Sequence, residues 1–303
     1  MTPAPEPVRP HELQAAFRLL FQHVSPLDRQ GRIDSALGLV DRRELDPAGL
    51  FVLHSRGELV GAVLGLVLPG SAALVWPPQC VPSVHRAARE DALLQSTADW
   101  LRGRNVQVAQ ALLSPEESSR ADTLPRNGFP HVTHLWFLRH DLLLPSHLLK
   151  APTRLNYRSY AACDVSLFHQ TLQRTYENTL DCPELNGSRG VEQVIAGHRP
   201  PGPFNPDHWL MALADGDPVG VLLLMEALET GEWETSYVGV VPEARRRGLG
   251  REMMLKALWE AHEAGARRLT LSVDARNEPA WDLYRGLGFK VFDRREVYLA
   301  VWR

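Results

Sequence analysis

Apolar and polar positions along this 303-residue chain fall into two successive rounds with the same order. Leu13, Phe17, Leu20 and Phe21 recur at helical spacing and predict a helix over 11–24, with a second over about 26–44. Leu50-Phe51-Val52-Leu53 is an apolar run, Ser55-Arg56-Gly57-Glu58 reads as a turn, and 59–68 reads as a buried strand. Further strands are expected at 72–76, 106–112 and 134–139, and a helix at about 85–102. Residues 142–156 hold Pro145 and Pro152 and show no period. The second round predicts a strand at 154–159, a helix at 164–179, an irregular stretch at 180–206, and strands at 208–214, 218–226 and 233–241. A helix at 247–263, a strand at 269–273, a helix at 278–286 and a strand at 289–300 complete it. The apolar face of the 247–263 helix is Met254, Ala257, Leu258 and Ala261, and Gly265 is placed to end it.

The length favours two domains. Residues 1–10, with four prolines, read as a disordered leader, 11–145 as the first domain, 146–153 as a linker and 154–303 as the second domain. Short matches support duplication. Val60-Gly61 parallels Val219-Gly220, Val81-Pro82 parallels Val241-Pro242, and 121–129 parallels 280–289 with one gap.

Composition narrows the chemistry. With 44% hydrophobic and 23% charged residues the chain reads as an ordinary soluble protein. A net charge of −3 gives no global basic field, so nucleic acid is not an expected partner. Cys80, Cys163 and Cys182 are odd in number and widely spaced, suggesting neither a disulfide framework nor a zinc site, and no metal is expected. The start lacks a signal-peptide pattern and no apolar run approaches the roughly 18 residues that span a bilayer. The expectation is therefore a cytoplasmic protein without a membrane partner, monomeric or homodimeric.

One stretch asks for a local explanation: Val240-Val241-Pro242-Glu243-Ala244-Arg245-Arg246-Arg247-Gly248-Leu249-Gly250-Arg251. A strand ends, a turn follows, and a helix begins. Helix N-termini carry unpaired N–H groups and partial positive charge, so arginines there are unfavourable unless an anion sits among them. Glycines at 248 and 250 allow close backbone approach. These features describe a pyrophosphate cradle, or else a solvated basic helix start with loop glycines.

The pattern Val-x-Pro-x-x-Arg-x-x-Gly-x-Gly resembles the acyl-CoA pyrophosphate loop of the GNAT superfamily of N-acetyltransferases, and Asn277-Glu-Pro-Ala280-Trp-Asp-Leu283-Tyr284-Arg-Gly-Leu-Gly288-Phe289 resembles the superfamily's second motif. The resemblance covers about 154–303. It implies an α/β (α+β) fold of two tandem GNAT-like domains, each a mixed, mostly antiparallel twisted sheet flanked by helices. It implies acetyl-CoA, or another acyl-CoA, as co-substrate. Backbone groups of Val238, Gly239 and Val240 would pair with the pantetheine arm, and Gly239 also suggests a bulge. Arg245 lies in the loop, and the N–H groups of Arg246, Arg247, Gly248, Leu249, Gly250 and Arg251 would face the pyrophosphate. Asn277 would contact the cofactor arm. Tyr284 matches the family's general acid beside the thioester sulfur, and Glu234, on the strand leading to the loop, is a candidate base.

Sliding these motifs onto the first half places His85 at Arg245, Ala88 at Gly248, Glu90 at Gly250 and Pro125 at Tyr284. A glutamate at the cradle opposes a pyrophosphate and proline donates no proton, so the first half is expected to be non-catalytic. The layout is similar to that of the mycothiol synthases, whose C-terminal domain is the active one, which does not by itself fix the acceptor. In this fold the long loop after the first helix walls the acceptor site. There Asp181 and Glu184 could hold a cationic amine and Arg189 or His198 an anionic group, although loop structure is the simpler explanation of each. The expected activity is direct acyl transfer, acetyl by preference, to a primary amine of a small molecule or peptide in a ternary complex. The alternative is a non-catalytic acyl-CoA-binding regulatory or interaction module.

Overall fold

The structure is a computed structural model, described over residues 4–118, 121–142, 154–199, 204–227 and 230–302. The chain divides into two compact units, residues 1–132 with 296–303, and residues 133–295.

The first unit runs β1 (Glu6–Pro7), α1 (Leu13–Leu20), α2 (Pro26–Asp41), β2 (Leu50–Ser55), β3 (Glu58–Leu68), β4 (Ala72–Cys80), α3 (Arg86–Arg102), β5 (Val108–Leu113), α4 (Pro115–Ser118) and α5 (Thr123–Arg126). Strands β1 to β4 pair antiparallel in sequence order, and β5 adds parallel to β4 across the α3 crossover. Alternate strand residues are buried on both faces. Phe17, Leu20 and Ile33 pack one face, and Leu93, Leu94 and Leu101 of α3 the other. This two-sided burial explains why 59–68 reads as an unbroken apolar run.

The second unit repeats the order after β6 (His131–Asp141), most of which belongs to this unit. It continues through β7 (Leu155–Ser159), α6 (Val165–Thr175), α7 (Val191–His198), β8 (Trp209–Ala214), β9 (Asp217–Ala227), β10 (Glu232–Val240), α8 (Leu249–Glu263), β11 (Arg268–Asp274), α9 (Glu278–Gly286) and β12 (Lys290–Val301). Strands β7 to β10 pair antiparallel in order, and β11 adds parallel to β10 across α8. Met253, Met254, Ala257, Leu258 and Ala261 of α8 are buried against one sheet face, and Phe168 and Leu172 of α6 pack the other with Trp209. Gly265, at φ +78°, follows the end of α8 as its position predicts.

The last strand of each round is exchanged. Residues Leu135–Asp141 of β6 pair antiparallel with β11 in the second unit, and Glu296–Val301 of β12 pair antiparallel with β5 in the first. Sequence order assigns 134–139 to the first domain and 289–300 to the second, and no local pattern distinguishes a strand that pairs at home from one that pairs abroad. The linker expected at 146–153 lies outside the described residues. The leader expected to be disordered is ordered from residue 4. Glu6 and Pro7 pair with Val52 and Phe51, and the Val8 N–H donates to the Leu50 carbonyl. Proline is tolerated there because β1 is an edge strand. Helix α7 falls inside the stretch read as irregular, its eight residues being too short for a clear period.

Candidate active site

Strands β10 and β11 are paired only at Trp233–Leu269 and Glu234–Thr270. Beyond these pairs β10 shifts register against β9 between Thr235 and Tyr237, and β10 and β11 part. The opening is a cavity of about 680 Å³ lined by the β10 edge from Thr235 to Val240, the start of α8, Leu271–Val273, Asn277 and Tyr284. A parallel ladder that stops after two residue pairs leaves the β10 edge with backbone donors and acceptors free to pair with an extended ligand. The hydroxyl of Thr235, buried in this wall, also has no protein partner among the described residues.

The bulge expected at Gly239 lies at Ser236 instead. Gly239 answers a different need, because a Cβ there would stand 2.6 Å from Thr175 Cβ and 2.7 Å from the Tyr237 hydroxyl. The missing side chain lets the end of α6 close on β10.

The loop after β10 is built as a cradle. Arg246 and Gly248 adopt left-handed backbone conformations, φ +62° and +80°. The N–H groups from Arg246 to Gly250 donate to no protein acceptor among the described residues, while Arg251 and Glu252 N–H return to the Gly248 carbonyl. Consecutive unpartnered N–H groups at the N-terminus of a fifteen-residue helix form an anion site. Arg154 holds the loop from outside: its guanidinium donates to the Arg247 carbonyl at 2.8 Å and to Glu252 Oε1 at 2.8 Å.

The arginines divide their work. Arg246 and Arg251 line the cavity. Arg247 does not, its carbonyl being tied to Arg154. Arg245 lines it too, but its guanidinium turns away and donates to the carbonyls of Val240, Thr175, Glu177 and Asn178 at 2.7–3.1 Å. Its side chain thus caps the end of α6 and fixes the loop to it.

Tyr284, on α9, is 7% exposed and presents to the same cavity. Burial, and then the nearby Asp181 and Tyr237, raise its phenol above the ordinary value, which keeps it protonated. Asn277 caps α9 by accepting the Ala280 N–H at 3.3 Å and also reaches the cavity wall. Glu234 is exposed and outside the cavity lining, and desolvation by surrounding protein raises its carboxyl.

The loop after α6 is pinned to the end of β11. Asp274, fully buried, accepts from Thr133 Oγ1 at 2.7 Å, from Cys182 N–H at 3.0 Å, and from both the N–H and guanidinium of Arg276. Burial alone would raise its carboxyl, but Arg276 and these donors hold it down at about 2. Arg276 in turn grips Glu184 at 2.6 and 2.9 Å. Glu184 is therefore an anchor of the loop and does not line the cavity. Arg189 lies outside the lining as well, beside Tyr176 and the buried His198. Asp181 alone of the acceptor candidates lines the cavity.

Of the residues that shape the site, Arg154 and Arg276 escape the sequence reading, and Asp274 is seen there only as a polar strand end with a weaker part in proton removal. Arg154 follows the linker-like stretch, and the other two sit where only a strand end is visible. The dipeptide spacing of Asp274 and Arg276 offers the one local hint.

A model of the acetyltransferase (GNAT) family matches residues 173–289. A mycothiol acetyltransferase of Arthrobacter sp. strain FB24 is 38% identical over 229 residues, covering 71% of this chain and 68% of that protein. The fold resembles that of a GCN5-related N-acetyltransferase from Sphaerobacter thermophilus, with a TM-score of 0.59, 22% identity, and 98% of this chain and 95% of that one covered. It also resembles a tandem GNAT protein from the clavulanic acid biosynthesis pathway, with a TM-score of 0.52, 16% identity, and 98% and 97% covered.

Proposed function

The chain belongs to the GNAT family of acyl-CoA-dependent N-acetyltransferases, and on that premise we propose that its second unit transfers an acetyl group from acetyl-CoA directly to a primary amine of a small molecule. The observation that carries the reading is the meeting, in one cavity, of Arg246, Gly248, Leu249 and Gly250, whose N–H groups are unpartnered among the described residues, with Tyr284. The relatives named mycothiol acetyltransferases favour a small-molecule acceptor.

Bound acetyl-CoA supplies the acyl group as a thioester. The N–H groups of Arg246 to Gly250, with Arg246 and Arg251, bind and orient the pyrophosphate. The free edge of β10 at Val238–Val240 receives the pantetheine arm as an added strand and fixes the reacting carbon near Tyr284. Backbone N–H of the parted strand polarises the carbonyl. Tyr284, held neutral by burial, gives its proton to the departing sulfur. Glu234 stands outside the cavity lining and is given no part in this reaction.

The first unit is assigned a non-catalytic role. In it α3 begins at Arg86 with no glycine turn before it, and Glu90 lies buried in an ion pair with Arg86 at 2.6 Å. The helix start that would cradle an anion instead carries a carboxylate.

Release of CoA from acetyl-CoA, measured against a panel of primary amines, tests the reading. Amine-dependent release that falls at least tenfold in Tyr284→Phe is expected. Acetyl-CoA binding without release above hydrolysis for any amine would make the chain a binding module instead.

A further inference from the structure

The attacking amine arrives largely as an ammonium ion at neutral pH and must lose a proton before its nitrogen can form a bond. The second unit offers three carboxylates for this, and the structure separates them: Asp282 of α9 lines the cavity but is exposed. Glu234 is exposed on β10 outside the cavity. Asp181 is in the cavity wall with Tyr284 and Tyr237.

Asp181 is also the better positioned. Its Oδ1 accepts the Asp274 N–H at 2.8 Å, and its own N–H donates to Thr179 Oγ1 at 3.1 Å. Its second oxygen has no protein hydrogen bond among the described residues. The next residue, Cys182, is tied through its N–H to Asp274 Oδ2, and Glu184 is tied to Arg276. The carboxylate is therefore held from both sides with one oxygen unassigned.

The surrounding groups suit a base. On β11 and its following turn, Asp274 brings a buried negative charge and Arg276 a positive one. Arg276 is already shared between Glu184 and Asp274, so it gives Asp181 no direct ion pair. The phenols of Tyr237 on β10, Tyr284 on α9 and Tyr176 on α6 and the thiol of Cys182 face the same region and are uncharged at neutral pH. Arg245 directs its guanidinium to the α6 carbonyls. Burial first, and then the neighbouring Asp274, raise the Asp181 carboxyl, outweighing the Asp274 N–H and Arg276. A raised carboxyl takes a proton more readily.

We propose that Asp181 is the acceptor-side catalytic carboxylate, binding the incoming ammonium group and taking its proton. The inference rests on the acetyltransferase reading above. The proton balance is complete. The ammonium gives one proton to Asp181, and the freed nitrogen pair forms the bond to the thioester carbon. The carbon–sulfur bond breaks with its pair going to sulfur, which takes the proton of Tyr284. The second proton shed by nitrogen, as the amide forms, returns to the Tyr284 oxygen, and Asp181 releases its own to solvent.

Wild type, Asp181→Asn and Glu234→Gln are compared with acetyl-CoA and three amine probes: glucosamine, ethanolamine and alanine amide. The acetylated product is quantified by mass across pH 5–10. Asp181→Asn should lower kcat/KM at pH 7 by about 10²-fold or more. Its rate should then climb tenfold per pH unit toward the amine's own pKa, while Glu234→Gln keeps the wild-type profile. Asp181→Asn retaining the wild-type profile within threefold, or Glu234→Gln taking on the behaviour described for Asp181→Asn, overturns the assignment and leaves the acetyltransferase reading standing. Wild type that binds acetyl-CoA and acetylates no probe overturns both. A readout without substrate guards against a merely structural role. Because the folded carboxyl is raised, its ionisation costs stability as pH rises through the folded pKa. Asp181→Asn should therefore melt higher than wild type at pH 7, with the gap closing below about pH 4. A lower Tm at pH 7 would mark Asp181 as a structural anchor and count against the proposal.

Discussion

The Asp274–Arg276 pair makes the stability of the second unit depend on acid in a calculable way. Asp274 is fully buried and its carboxyl is held at about 2, against an ordinary 3.8, by Arg276, Thr133 and the Cys182 N–H. A shift of nearly two pH units corresponds to about 2–3 kcal/mol, at 1.36 kcal/mol per unit. Since the folded value is depressed, this contribution is complete above the unfolded value of about 3.9 and is lost as pH falls through about 2. Asp274→Asn keeps the shape but removes the charge and exchanges one acceptor for a donor facing Arg276. It should destabilise the second unit by about 2–3 kcal/mol at pH 7, and the difference from wild type should shrink toward zero near pH 2. Hydrogen exchange of peptides from 133–295 reads that unit separately at each pH, so carboxylates of the first unit such as Glu117, also held at about 2, do not confuse the result. The exchange of 181–189 should accelerate most, because the loop loses its tie through Cys182. A difference that stays constant between pH 7 and pH 2 would show that packing, not charge, holds the loop, and the electrostatic account would be wrong.

Acetyl-CoA should raise the Tm of wild type, and Gly248→Glu should abolish that rise while leaving a folded protein, because the new side chain meets φ +80° and a second negative charge enters the cradle. Arg245→Met, read by urea unfolding, should cost about 2–4 kcal/mol of stability without ligand, since four carbonyls lose a charged donor. A variant that loses only acetyl-CoA affinity would return Arg245 to the cofactor. Gly239→Ala should cost about 1–3 kcal/mol by forcing α6 away from β10, visible as a lower Tm.

Much of this architecture is legible along the chain because the rules that write it are local. Strands β3 and β9 announce themselves as apolar runs bounded by turns, and α8 by its 3.6-residue face and Gly265. The cradle is legible for the same reason: a helix start needs its glycines adjacent in sequence. What escapes is long-range. Arg154 reaches Arg247 and Glu252 across more than ninety positions, and nothing in its own neighbourhood signals that partnership. Asp274 gathers Thr133, Cys182 and Arg276 from three segments, and its burial is a property of the assembled sheet. Arg245 illustrates the converse. Its position in a motif suggests a phosphate ligand, whereas the four carbonyls it meets are brought to it by the end of α6. Glu184 and Asp181 were equivalent loop acids in the sequence; only the fold turns one to Arg276 and the other to the cavity.

The exchanged strands bear on how the chain is made. A ribosome delivers β2 to β5 of the first unit early, yet the strand that closes that sheet, Glu296–Val301, is synthesised after nearly the whole second unit. Throughout that interval the β5 edge has no native partner, and β6, already available, is committed to β11, which does not yet exist. Neither half can mature independently during translation, and a nascent chain must pass through a stage with an open sheet edge. Completion of the first unit waits for the last strand of the second round: a chain stalled or cleaved before β12 holds every strand of the second unit's sheet but leaves the first unit's sheet unfinished.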